Sequence, residues 1–114
     1  MSALEQALTD YLRLRRSLGH ELAEASARIA RESADAYSTP ERQRWVLGSL
    51  GPGTKLPTLG HVSYAQLRDA YQQEVEGLLA GGIDAVLIET SQDLLQTKAA
   101  TLVAKRALAY RGRD

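Results

Sequence analysis

Residues 44–90 read RWVLGSLGPGTKLPTLGHVSYAQLRDAYQQEVEGLLAGGIDAVLIET, and the fold turns on how this stretch is parsed. Two mostly apolar runs, 44–50 and 83–88, are too short for helices and are flanked by glycine, so both are expected to be buried strands. Between them, residues 51–60 hold three glycines and two prolines and must form a loop. A helix then begins with clear signals. Ser63 and Gln66 fit a capping box, in which each side chain satisfies an otherwise unpaired amide of the first turn, and Val62 with Leu67 fits the hydrophobic staple that closes over it. Tyr64, Leu67, Tyr71, Val75, Leu78 and Leu79 follow at helical spacing, and Gly81-Gly82 supplies a residue that accepts the left-handed C-terminal cap. Two apolar strands joined by one helix imply a parallel pair with a right-handed crossover, a βαβ unit.

Downstream, a last helix is expected to start near Thr90 or Ser91, with Thr90 and Asp93 as a capping pair. Leu94, Leu95, Ala99 and Leu102 would form its inner face, and Arg106, Arg111 and Arg113 would suit the negative end of its dipole. Upstream, Leu4, Leu8, Tyr11, Leu18, Leu22, Ala25 and Ile29 recur three or four apart. They mark a helical stripe carried by one long helix or by two helices broken near Gly19-His20. Arg15 interrupts the stripe and strong heptads are not sustained, so the expectation is an amphipathic helix seeking a partner rather than a coiled coil. The helix should fade by Tyr37, where Ser38-Thr39-Pro40-Glu41 reads as a turn. Trp45, opening the first strand, is expected to be a packing residue.

Bulk composition narrows the function classes. The 114 residues suffice for one small domain, and 44% hydrophobic with 25% charged residues are ordinary globular values. Fourteen basic side chains balance fourteen acidic ones, so no overall basic field exists for nucleic acid or an anionic membrane. No apolar run is long enough to span a bilayer, and the charged N-terminus does not fit a signal peptide, which makes a cytoplasmic protein the expectation. The chain has no cysteine, so disulfides, a thiolate nucleophile and a thiolate metal site are excluded within it.

Each candidate site has a plainer reading beside it. Gly48 and Gly53 have the spacing of a phosphate-binding loop, but Thr54-Lys55 reverses the required order and Pro57 stands where the cradling helix should begin. His20 and His61 are not spaced as a metal pair, and His61 is read as a loop histidine. The Arg13-Leu14-Arg15-Arg16 cluster lies among Glu5, Asp10 and Glu21 and is read as a solvated helix face. Glu89 and Thr90 stand where the second strand runs out. Ligands of parallel α/β proteins bind at that end of the strands, and a carboxylate there could accept charge-assisted hydrogen bonds from an ammonium group. The alternative, a solvent-facing acid near a helix start, as expected for Asp93, stays open on position alone.

Residues 44–99 resemble the homocysteine S-methyltransferase domain of cobalamin-dependent methionine synthases, most specifically in GSLGPGTKLPTLGH (48–61) and LIET (87–90). The likeness reaches back to about Leu22, through LAEASARIARESAD, and on to the chain end. The resemblance implies an α/β fold that is part of a (β/α)₈ barrel: residues 22–114 would supply barrel strands 3 and 4 with their helices. It also implies homocysteine bound as a zinc thiolate and a methyl group delivered from cobalamin on another domain. Glu89 matches the family glutamate that contacts the homocysteine amino group, and Thr90 stands beside it as a second substrate-binding residue. The family's zinc is held by three cysteines that this sequence lacks, so no catalytic or metal-ligating residue is assigned, and no cofactor is expected in this part alone. A barrel needs about 250 residues, so the chain is expected to be a fragment, inactive in methyl transfer by itself. With two strands and exposed edges, it is expected to self-associate or to dock onto a complementary half-barrel.

Residues 1–21 are read as a separate amphipathic helix, and SALEQALTDYLRLRRSLGHELAEA resembles the start of the core-binding domain of tyrosine recombinases. Two other functions therefore stay open. One is a non-catalytic interaction or DNA-contacting module built on that helix. The other is a small enzyme using Glu89 and the 48–60 loop on a different substrate.

Overall fold

The computed structural model describes residues 2–113, apart from the side chains of Leu12, Arg15 and Arg16. The elements follow the order α1 (Ala3–Tyr37), β1 (Leu47–Leu50), a 3-10 turn (Pro57–Leu59), α2 (Tyr64–Gly81), β2 (Ala85–Ile88) and α3 (Leu94–Tyr110). The two strands pair in parallel, with Leu47 opposite Ala85 and Leu50 opposite Ile88. The expected βαβ unit is therefore present, with α2 as the crossover.

Local chemistry sets most boundaries of α2. The Ser63 hydroxyl accepts from the Gln66 amide while the Gln66 side chain accepts from the Ser63 amide. At the other end Gly82, at φ 99°, donates its amide to the carbonyls of Leu78 and Leu79. Of the stapling pair, Leu67 is buried and Val62 packs partly buried against the core. The turn after α1 also forms as read: Thr39 and Arg42 exchange backbone hydrogen bonds of 3.1 Å.

Helix α1 is continuous through Gly19-His20. Its buried face, however, is not the leucine stripe. Leu4, Leu8, Tyr11, Leu18, Leu22 and Ile29 are all exposed, and the residues packed into the core are Ala23 and Ala27. The reason lies in α2. A Cβ placed on Gly77 would collide with the His20 carbonyl and Ala23, and one placed on Gly81 would collide with the Glu24 carbonyl and Ala27. Two glycines one turn apart let the helix backbones approach closely, and only alanines fit the facing surface. Close approach selects small residues over large ones.

The strands are shorter than expected and buried on one face only. Val46, Gly48 and Leu50 turn toward the helices, whereas Leu47, Ser49 and Leu87 lie on the open side. Trp45 is 69% exposed, so it is not a packing residue; in strand alternation it shares the uncovered side with Leu47. Helix α3 starts later than expected, at Leu94. Its cap is Asp93, whose carboxylate accepts from the Gln96 amide at 2.7 Å. Thr90 cannot cap it, because its φ of 54° is left-handed rather than extended. The inner face also shifts. Ala99 is buried as expected, but Leu94 and Leu102 are exposed, and Gln96, Ala100, Val103, Ala104 and Ala107 take their place. Arg113 turns from the helix end to the sheet, donating to the carbonyls of Ile83 and Asp84.

Among the described residues no helix is long and apolar enough to cross a membrane.

Candidate functional site

The carboxyl ends of both strands meet at Ser49 and Glu89. These residues are exposed, and the Ser49 hydroxyl donates to the Glu89 carboxylate. The Glu89 amide donates to the Leu50 carbonyl at 3.2 Å, which extends the ladder by one residue and fixes the backbone from which the carboxylate projects. Thr90 follows in its left-handed conformation, a state that costs a β-branched residue about 1–3 kcal/mol and recurs at ligand sites.

The loop after β1 is held against this strand end by three side chains, Gln96, Asp93 and Tyr71. Gln96, 0% exposed, donates from its amide nitrogen to the carbonyls of Pro52 and Lys55. The Gln96 side-chain oxygen accepts from the Gln92 amide at 2.8 Å. Asp93 accepts from the Thr58 hydroxyl at 2.7 Å as well as from the Gln96 amide. Those hydrogen bonds hold the Asp93 carboxyl below its ordinary pKa of 3.8. Asp93 stands at the helix start as expected, and there it also caps α3 and latches the loop. Tyr71, buried on α2, donates to the Gly51 carbonyl at 2.9 Å, and its burial pushes the phenol pKa up. His61 lies in the loop as read, and its Nδ1 accepts from the Leu56 amide at 3.3 Å.

Sequence reasoning missed Gln96 and Asp84. A glutamine in a helix carries no mark of burial, and Asp84 looked like an ordinary strand residue. The Asp84 carboxylate sits at the opposite end of the sheet. It accepts from the Val46 amide at 2.7 Å and from Arg31 on α1 at 2.6 Å. Burial alone would raise its pKa, but the Val46 amide and the Arg31 guanidinium outweigh that and hold it below 3.8. Arg31 is pushed up in turn, chiefly by its bond to Asp84.

Beside β1 runs a groove of about 1060 Å³ between α1 and α2, lined by Leu22, Ala27, Leu47, Val62, Leu78 and Ile83 among others. The carbonyls of Val46 and Leu50 accept from β2. By strand alternation, the backbone groups of Leu47 and Ser49 therefore point to the free edge, into this groove. Glu74 also lines it, and burial pushes its carboxyl pKa up.

The donor set does not fit a zinc thiolate centre. The sequence has no cysteine, and no group of three His, Asp or Glu among the described residues could hold a metal ion. The arginine cluster of α1 has Arg13 exposed, 3.8 Å from Asp10; the side chains of Arg15 and Arg16 lie outside the described residues.

A family model described as homocysteine S-methyltransferase matches residues 2–111. That match begins inside the segment compared above with a recombinase and gives the recombinase reading no support. The methionine synthases of Mycobacterium tuberculosis (strain ATCC 25618 / H37Rv) and Mycobacterium leprae (strain TN) are each 56% identical to this chain over 93 residues. Those residues are 82% of this chain and 8% of either relative, so the chain spans a small part of the proteins it matches. Glycine loop, crossover helix and strand end thus occur in a sequence that a single family model covers almost throughout, and the chain belongs to the homocysteine S-methyltransferase family.

Proposed function

We propose that this chain is a homocysteine-recognition part of a methionine synthase (β/α)₈ barrel, with residues 22–114 supplying two adjacent strands and their helices. Glu89 is the ligand-binding carboxylate and would accept from the homocysteine ammonium group, with Thr90 beside it. The observation that carries this reading is the Glu89 carboxylate, exposed at the carboxyl end of a parallel strand, where among the described residues the Ser49 hydroxyl donates to it. An ammonium donor competes well for such a carboxylate, because a charge-assisted hydrogen bond is about twice as strong as a neutral one.

Methyl transfer by this chain alone is not expected. A homocysteine thiol is mostly protonated at neutral pH and is then a poor nucleophile. The family's remedy is a zinc ion on cysteines, and this sequence supplies none. Zinc and cobalamin would therefore belong to other parts of a complete enzyme. A cytoplasmic location fits that setting.

The second partner we propose is a polypeptide that completes the sheet. Leu47 and Ser49 offer backbone donors and acceptors along an apolar groove, the arrangement that takes an added strand.

Calorimetric titration of the full chain with homocysteine tests the ligand. Weak binding that Glu89→Gln abolishes is expected; no heat at millimolar ligand would remove the reading. Methionine formed from homocysteine and methylcobalamin by the purified chain would contradict its catalytic half.

A further inference from the structure

We propose that α1 is a dimerisation helix: two copies of this chain pair antiparallel through the stripe that the fold leaves uncovered. Leu4, Leu8, Leu14, Leu18, Leu22 and Ile29 are each at least 48% exposed on one continuous helix. Among the described side chains, the half of α1 before His20 contributes none to the core, so Leu4, Leu8, Leu14 and Leu18 are free of core packing. From Leu4 to Ile29 the stripe runs about 38 Å along the helix axis.

The spacing identifies the partner as a helix. Leu4, Leu8, Tyr11, Leu18, Leu22, Ala25 and Ile29 keep the alternating four-and-three spacing that follows one seam, with Arg15 the polar member. The area identifies it as another copy. Six side chains of this size and exposure offer roughly 400 Å² of apolar surface. A standard interface takes about 800 Å² from each partner, a little over half of it apolar. The same stripe on a second copy therefore supplies what a two-fold interface needs on both sides.

Direction follows from bulk. In a parallel pair the two folded bodies beyond His20 would crowd one end. An antiparallel pair separates them. It sets Leu4 opposite Ile29 and Leu8 opposite Ala25, so each projecting half covers the partner's half that backs onto the core. The pairing draws on Leu22 at the rim of the groove beside β1 and leaves the Glu89 end of the sheet open. It stands independently of the homocysteine reading.

Sedimentation equilibrium of the full chain, from low micromolar to submillimolar, should show a dimer. Leu8→Asp with Leu18→Asp should convert it to a monomer, since neither residue touches the core and the body should still fold. Leu87→Asp, on the open sheet face, should leave the dimer intact. Because the chain has no cysteine, introduced ones report direction. Copies with Leu4→Cys mixed with copies carrying Ile29→Cys should cross-link to each other. Leu4→Cys alone should not, since its two copies would lie about 38 Å apart and a disulfide needs Cα atoms within about 7 Å. A monomer at every concentration overturns the proposal, as does a dimer that the two aspartates leave unchanged or that Leu87→Asp dissolves. A rapid Leu4–Leu4 cross-link overturns the antiparallel arrangement.

Discussion

Asp84 and Glu89 lie five residues apart at the two ends of β2, and the fold treats them oppositely. Asp84 is bound by a backbone amide and by Arg31, and through them it joins α1, β1 and β2. Glu89 has a hydroxyl neighbour and faces solvent. The amino end of the sheet is where the layers are fastened together; the carboxyl end keeps a carboxylate available. An acid that closes its own electrostatics stabilises the fold, and one left with unused acceptor capacity can meet a ligand. The loop over the carboxyl end is nevertheless held firmly, through Gln96, Asp93 and Tyr71, none of which draws on Glu89.

The largest effect should come from the helix crossing that supports both ends. Gly81→Val should cost about 3 kcal/mol or more in urea unfolding, because the added methyls meet backbone rather than a flexible side chain. If α1 simply tilts away and stability holds, the crossing does not carry the fold. Gln96→Ala should follow at about 2 kcal/mol, since it leaves the Pro52 and Lys55 carbonyls and the Gln92 amide without partners. Hydrogen exchange should then quicken in residues 51–60 while β2 stays protected. Asp84→Asn should lower Tm by roughly 5 °C. Glu89→Gln should leave Tm within about 1 °C, its effect confined to homocysteine binding. A large stability loss at Glu89 would erase the contrast between the two acids.

Acid sharpens the same contrast. Asp84 and Asp93 have folded-state pKa values below 3.8. Their contribution is therefore fully present above that value and is lost as pH falls through the depressed folded pKa. Urea midpoints should drop on acidification through this range, and less steeply in Asp84→Asn. Glu74 has the opposite sign: its pKa is raised above 4.5, so its ionised form weighs against folding at neutral pH. Glu74→Gln should raise the neutral-pH midpoint slightly and leave the acid end unchanged.

The sequence by itself determined the parts whose causes are local. Ser63 and Gln66 specify the start of α2 because a capping box is made by residues three apart. Gly82 ends that helix because a left-handed cap needs no distant partner. The two apolar runs had to pair in parallel once a helix joined them, and that placed Glu89 at a strand's carboxyl end. Only the tertiary structure decided which faces are covered. The leucine stripe of α1 had the stronger hydrophobic pattern, yet Ala23 and Ala27 were buried because Gly77 and Gly81 opposite them set the spacing. Trp45 faces outward, Asp84 is fastened and Gln96 is buried for the same reason. Burial and hydrogen bonding depend on what another segment presents, and neither periodicity nor capping within one segment contains that information.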